Sequence, residues 1–174
     1  MFLESARLDP GVRVYAVGDV HGRADLLERM LAAIERDRSS SPTAETRIVM
    51  LGDYTDRGPD SRRVLDMLAA RIDDPAFVML RGNHDDWLAT FLDHPEVVAE
   101  DFLRWGGIEP LRSYGVDVGG SLWRGADLSR ELNRRMPLAH RNLLERLWPC
   151  HVEGDYFFVH AGVRPGVPLD RQSP

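Results

Sequence analysis

The chain has 174 residues, 43% hydrophobic and 29% charged, with 28 acidic against 22 basic side chains. That length suits one domain able to bury roughly 70% of the surface its unfolded form exposes, so no covalent staple is required. A single cysteine, Cys150, excludes an intramolecular disulfide framework, and the net charge of −6 argues against a domain that grips nucleic acid through its phosphates.

Residues 1–11 read as a short N-terminal extension lacking the apolar run of a secretory signal, and the domain as 12–174. No stretch reaches the ~20 apolar residues of a membrane helix, and a cytoplasmic protein is expected. Val12–Val17 (VRVYAV) is a β-branched and aromatic run ending at Gly18, which predicts a buried strand. Arg23–Arg36 carries Leu26, Leu27, Met30, Leu31 and Ile34 at helical spacing, and the serine-rich Asp37–Glu45 predicts a loop. The pattern then recurs. Arg47–Leu51 reads as a strand, Asp60–Ile72 as a helix, Ala76–Leu80 as a strand and Asp85–Leu92 as a helix. This βαβ rhythm predicts an α/β fold with strand C-termini along one sheet edge. Pro95–Trp105 reads as helical, ended by Gly106-Gly107, and Leu111–Asp127 as mixed. Leu138–Leu147 reads as a helix after Pro137. Cys150–Glu153 and Tyr156–His160 flank Gly154-Asp155 as a hairpin, and Arg164–Pro174 reads as a loop.

Each of the three strands runs into a polar cluster: Gly18-Asp19-Val20-His21-Gly22, then Gly52-Asp53-Tyr54-Thr55-Asp56-Arg57-Gly58, then Arg81-Gly82-Asn83-His84-Asp85. Sites in open α/β sheets form outside the carboxyl ends of the strands, so the clusters should converge. Oxygen and imidazole donors without thiolate suit Mn, Fe or Zn. A carboxylate such as Asp53 has two oxygens and can bridge two cations, the arrangement that activates a shared water for displacement at phosphorus. All 22 basic residues are arginine. Any side-chain cation meeting a phosphate here is therefore a guanidinium fork. His94, His140 and His151 read as surface or packing residues, and adjacent Cys150 and His151 should face opposite ways on a strand. Trp87, Trp105, Trp123 and Trp148 read as core or groove lining. Asp85-Asp86 reads as first-turn charge favoured by the helix dipole.

The three clusters, in their order and spacing, resemble the signature blocks of the calcineurin-like metallophosphoesterases, and within them the phosphoprotein phosphatase family. Val159-His160-Ala161-Gly162 resembles a fourth block. The resemblance implies a layered fold with a central mixed sheet flanked by helices, and two divalent cations, with Mn2+ expected and Fe or Zn as alternatives. It implies that Asp19 and His21 hold the first cation, that Asp53 bridges, and that Asn83 and His160 hold the second. It implies hydrolysis by metal-bound hydroxide, with His84 as general acid oriented by Asp56 and Arg57 gripping the phosphoryl oxygens. Asn83 would also approach the phosphate. Arg81 would supply a further phosphate contact or a structural ion pair.

The expected substrate is a phosphorylated protein, which makes the chain a serine/threonine protein phosphatase. The alternative is a dinucleoside polyphosphate, since the segment from His160 to Leu169 also resembles the symmetrical diadenosine tetraphosphatases. The family pattern places one more histidine and an arginine after His160. The sequence through Pro174 carries no such histidine. The chain therefore reads as truncated at its C-terminus, or else as a one-metal, inactive binding module.

Overall fold

The computed structural model describes residues 6–43, 45–119 and 124–172. Strands β1 (Val12–Val17), β2 (Glu45–Met50) and β3 (Phe77–Met79) form a parallel sheet in the order β1-β2-β3, with Val17 opposite Met50 and Met50 opposite Met79. The crossovers are α1 (Ala24–Ser40) and α2 (Ser61–Ala69). Apolar residues bury one face of each helix, Leu27 and Ile34 from α1, and Val64, Leu65 and Leu68 from α2. They pack on Ile48, Met50 and Met79 of the sheet in one continuous core. At roughly 1.5–3 kcal/mol for each fully buried large aliphatic chain, this burial is the main stabilising contribution.

Several boundaries move. Helix α1 continues through Ser40, past the expected end at Arg36, because the Ser39 and Ser40 hydroxyls donate back to Glu35 O and Asp37 O at 2.9 and 3.0 Å. Strand β3 is short, and the next residue, Leu80, pairs in parallel with Trp148 instead. Helix α3 (Asn83–Asp93) begins two residues before the expected Asp85, which places Asn83 and His84 in its first turn.

Helix α4 (Pro95–Phe102) runs into a wide turn, Leu103–Gly107, and the chain resumes as α5 (Ile108–Ser113). The expected helix end at Gly106-Gly107 is thus a kink between two helices. Helix α6 (Gly125–Arg135) has no counterpart in the sequence reading. Its apolar stripe is only Leu128 and Leu132 among many charges, yet both are buried, and Ser129 and Asn133 donate to Leu92 O at 3.1 and 2.7 Å. Helix α7 (Leu138–Glu145) follows. Strands β4 (Cys150–Glu153) and β5 (Tyr156–Val159) pair antiparallel as expected. The parallel and antiparallel ladders lie in two separate sheets among the described residues. Arg7 of the N-terminal extension brackets the hairpin turn, its N–H on Asp155 Oδ2 at 2.9 Å and its carbonyl on Asp155 N–H at 3.0 Å. No helix of the described residues is long and apolar enough to cross a membrane.

His140 is a packing residue, as expected. Buried on α7, it accepts from Tyr114 O–H at Nδ1 (2.7 Å) and donates from Nε2 to Asp66 Oδ1 (2.9 Å), joining three helical segments. Burial lowers this imidazole below its ordinary range, with Asp66 opposing the shift and Arg62 adding to it. The unfolded chain therefore protonates at a pH where the folded chain stays neutral. Stability present above about pH 6.5 is lost as pH falls below that value. A His140→Gln change is expected to cost about 1 kcal/mol at pH 7 and to flatten the stability profile between pH 7 and 5.5. Denaturant titrations across that range check this, and an unaltered slope contradicts it.

Candidate metal centre

The chain leaves the parallel sheet at a single edge, and its backbone ties the exiting loops together. Val20 and His21 N–H both donate to Asp53 O, at 3.0 and 2.9 Å, and Gly22 N–H donates to Tyr54 O at 2.9 Å. The loop after β3 comes equally close. A Cβ on Gly82 would stand 2.1 Å from Asp53 Oδ1, so only glycine allows this approach.

This convergence strains the backbone. His21, Asp53, Asp56 and Arg57 have φ of 42, 56, 70 and 62°, and among the described residues no other non-glycine has positive φ. Each such residue costs of order 1–3 kcal/mol, so surrounding contacts must hold it. Asp85 supplies them. Its buried carboxylate accepts from the N–H groups of Asp53 (2.8 Å), Tyr54 (2.9 Å) and Gly82 (3.0 Å), which locks the second loop onto the start of α3. Burial pushes the Asp85 carboxyl up to about 7, against those three amides. The expected first-turn charge is thus a buried tie, while Asp86 remains outside. Asp85 shares the inward face of α3 with Leu88 and Leu92.

Within this frame the imidazoles point at oxygen. His21 Nδ1 donates to Thr55 O at 2.9 Å and His160 Nδ1 to Leu51 O at 2.8 Å. Each ring then presents Nε2 as a lone pair. His21 Nε2 lies 3.7 Å from Asp19 Oδ2 and 3.6 Å from Asp53 Oδ2. His160 Nε2 lies 3.4 Å from Asp53 Oδ1 and 3.2 Å from Asn83 Oδ1. Lone pairs facing lone pairs repel unless a cation sits between them. His21 Nε2 is moreover buried without a hydrogen-bond partner. The donor set therefore fits a divalent cation, and Asp53 is common to both groups of ligand atoms that lie within 4.8 Å of one another, with Asp19 and His160 in one and His21 and His84 in the other.

His84 differs from the other two histidines. Its Nδ1 donates to Asp56 Oδ2 at 2.7 Å and its Nε2 meets Arg57 Nη2 at 3.0 Å, so both ring nitrogens have partners. The Asp56 carboxylate holds this imidazole above its ordinary range, burial opposing. Trp87 packs edge-on at 5.1 Å between ring centroids. The expected site residues thus fall into two neighbouring sets, Asp19, His21, Asp53, Asn83 and His160 in one, and Asp56, Arg57 and His84 in the other.

Arg81 joins neither. Its guanidinium meets Asp86 at 3.4 Å and Leu144 O at 3.5 Å, so of the two roles expected for it the structure shows the ion pair. His94 lies exposed near Glu96 and His151 Nε2 meets Glu153 at 3.1 Å, both apart from the site. Trp148 is exposed but lines a groove with Ile72, Phe77, Met79 and Leu147, as one of its two expected roles has it, and Trp123 lies outside the described residues. Thr55, whose carbonyl orients His21, went unnoticed because a backbone acceptor leaves no mark on residue type.

The calcineurin-like phosphoesterase family matches residues 12–171. The chain belongs to that family. A symmetrical bis(5'-nucleosyl)-tetraphosphatase of Dechloromonas aromatica (strain RCB) is 31% identical over 151 residues, which cover 87% of this phosphoesterase chain and 44% of that protein. Its counterpart from Acidovorax sp. (strain JS42) is 34% identical over 152 residues, with the same shares. An asymmetrical bis(5'-nucleosyl)-tetraphosphatase, PrpE, of Anoxybacillus flavithermus (strain DSM 21510 / WK1) is 27% identical over 154 residues, covering 85% of this chain and 56% of that one. A crystal structure described as a candidate diadenosine tetraphosphatase superposes with a TM-score of 0.58 at 21% identity, over 95% of this chain and 60% of that one, and bears on the fold alone. This chain spans about half the length of the curated relatives it matches.

Proposed function

We propose that this phosphoesterase hydrolyses the phosphoanhydride of a dinucleoside polyphosphate, cutting it symmetrically, and that residues 12–174 form its single domain here. The observation that carries hydrolysis is the contact of Arg57 with His84 beside the Asp53 ligand set. One group suits phosphoryl oxygens, the other a leaving oxygen, and both flank a cation site. The names of the relatives favour the dinucleotide alternative over the phosphoprotein reading.

Asp19 and His21 would hold one divalent cation and Asn83 and His160 a second, with Asp53 shared and Mn2+ the metal proposed. Such cations, when bound, supply a coordinated water of lowered pKa and offset phosphoryl charge. The protein's own groups do the rest. Arg57 offers parallel N–H donors to the non-bridging oxygens, as its fork requires, and in doing so leaves His84 Nε2. His84 Nε2, a lone pair while Arg57 donates to it, then takes a proton from solvent, which the Asp56 carboxylate favours, and gives it to the departing oxygen, while Asp56 fixes the ring through Nδ1.

The deciding assay offers Mn2+-loaded chain diadenosine tetraphosphate and a phosphoserine peptide side by side. Two ADP per tetraphosphate are expected. Faster release from the peptide would return the reading to a protein phosphatase, and ATP plus AMP would make the cut asymmetrical. Calorimetric titration with Mn2+ separates the third possibility, since two sites with turnover exclude a one-metal, inactive binding module.

A further inference from the structure

Between α4 and α5 the helical path breaks at Trp105 (φ −100°, ψ 15°) and Gly106 (φ 119°). The break abuts the phosphate-gripping residue. Gly106 O accepts the Arg57 N–H at 3.2 Å, and a Cβ on Gly106 would stand 2.9 Å from both Arg57 N and Arg57 Cγ. The kink is thereby pinned to the second loop of the site. The residue before the pinned glycine, Trp105, is 52% exposed. Tryptophan carries a large apolar surface that folding normally hides. The Arg104 guanidinium lies 5.5 Å from the Trp105 ring centroid, so a cation accompanies the indole.

We propose that Trp105 is a stacking platform for one nucleobase of the substrate, with Arg104 as added counter-charge for its polyphosphate. The inference rests on the dinucleoside polyphosphate reading and names the residue that tells a nucleotide from a bare phosphate. A base needs a π-face, and a polyphosphate needs cations a few ångströms away. The segment Arg104-Trp105-Gly106 provides the first and carries one cation beside it, held by backbone to Arg57. The expected groove-lining role of Trp105 thereby acquires a ligand.

The test uses calorimetric binding of ADP and of inorganic pyrophosphate to the full chain with Mn2+ present, since the two ligands share a diphosphate and differ by adenosine. Trp105→Ala is expected to weaken ADP about 10-fold and to leave pyrophosphate unchanged, whereas Trp105→Phe keeps most of the ADP affinity. Unchanged ADP binding in the alanine variant overturns the proposal. An equal loss for both ligands does so too, because it makes Trp105 a support for Arg57. If the parent chain binds neither ligand, the phosphate-site reading fails first and the platform falls with it. Parent chain that binds both ligands, with an alanine variant that loses neither, removes the platform alone.

Discussion

Replacing His84 by Asn is expected to slow hydrolysis by about 10²–10⁴-fold while cation content stays unchanged. The side chain is nearly sealed in, Nδ1 donating to Asp56 at 2.7 Å and Nε2 accepting from Arg57 at 3.0 Å, which holds the ring in place for the general-acid role we propose once Arg57 turns to substrate. Asparagine fills similar space and can bond Asp56, but carries no transferable proton. The loss should depend on the leaving group. An alkoxide departs poorly without a proton, whereas a nucleoside diphosphate leaves as a stable anion, so the effect on a phosphoserine ester should exceed that on a tetraphosphate. Kinetics on both substrates, with metal analysis of the purified variant, check the prediction. Loss of cation would instead make His84 a ligand, as its place in one of the ligand groups permits.

An Asp53→Asn change is expected to weaken both cation sites by at least about 100-fold, the upper end of what losing even a supporting partner costs. Asp53 Oδ1 and Oδ2 face His160 and His21 respectively, and Oδ1 also accepts the His84 N–H at 3.0 Å. The amide keeps an acceptor for that N–H but loses the charge and one ligand oxygen. The same change has an opposite effect without metal. Asp53 repels the buried Asp85 carboxyl and helps to raise it. With chelator present the variant should therefore unfold no sooner than the parent chain, and Mn2+ should stabilise only the parent. Thermal unfolding with and without Mn2+, beside calorimetric titration, measures both halves. Two tight sites surviving in the variant would refute a shared ligand.

These two changes bear on residues that were legible in advance. Strands β1 and β2, the hairpin and the helices between them follow from apolar spacing and glycine punctuation, because burial of one face writes itself into residue type. Seven of the eight expected residues that gather at the sheet edge were readable for a related reason: polar clusters ending successive βαβ strands must meet, whereas His160, which follows the antiparallel hairpin, was readable only through the resemblance of Val159–Gly162 to a fourth block. Helix α6 was not readable, since two leucines and a serine bury its inner face among charges. Asp85 does stand in the first turn of its helix as expected, but a first-turn carboxylate looks the same in sequence whether it faces water or three backbone amides.

The sequence by itself determined the parallel α/β order, the family and which polar side chains gather at one sheet edge, since all of these depend on residue type and spacing along the chain. Only the tertiary structure decided that Arg81 turns to Asp86, that Asp85 holds the strained loops, and that a kink 49 residues beyond Arg57 seats it and leaves Trp105 in solvent. The physical reason is that those features arise from backbone amides, carbonyls and distant packing, which every residue type shares and no local pattern records.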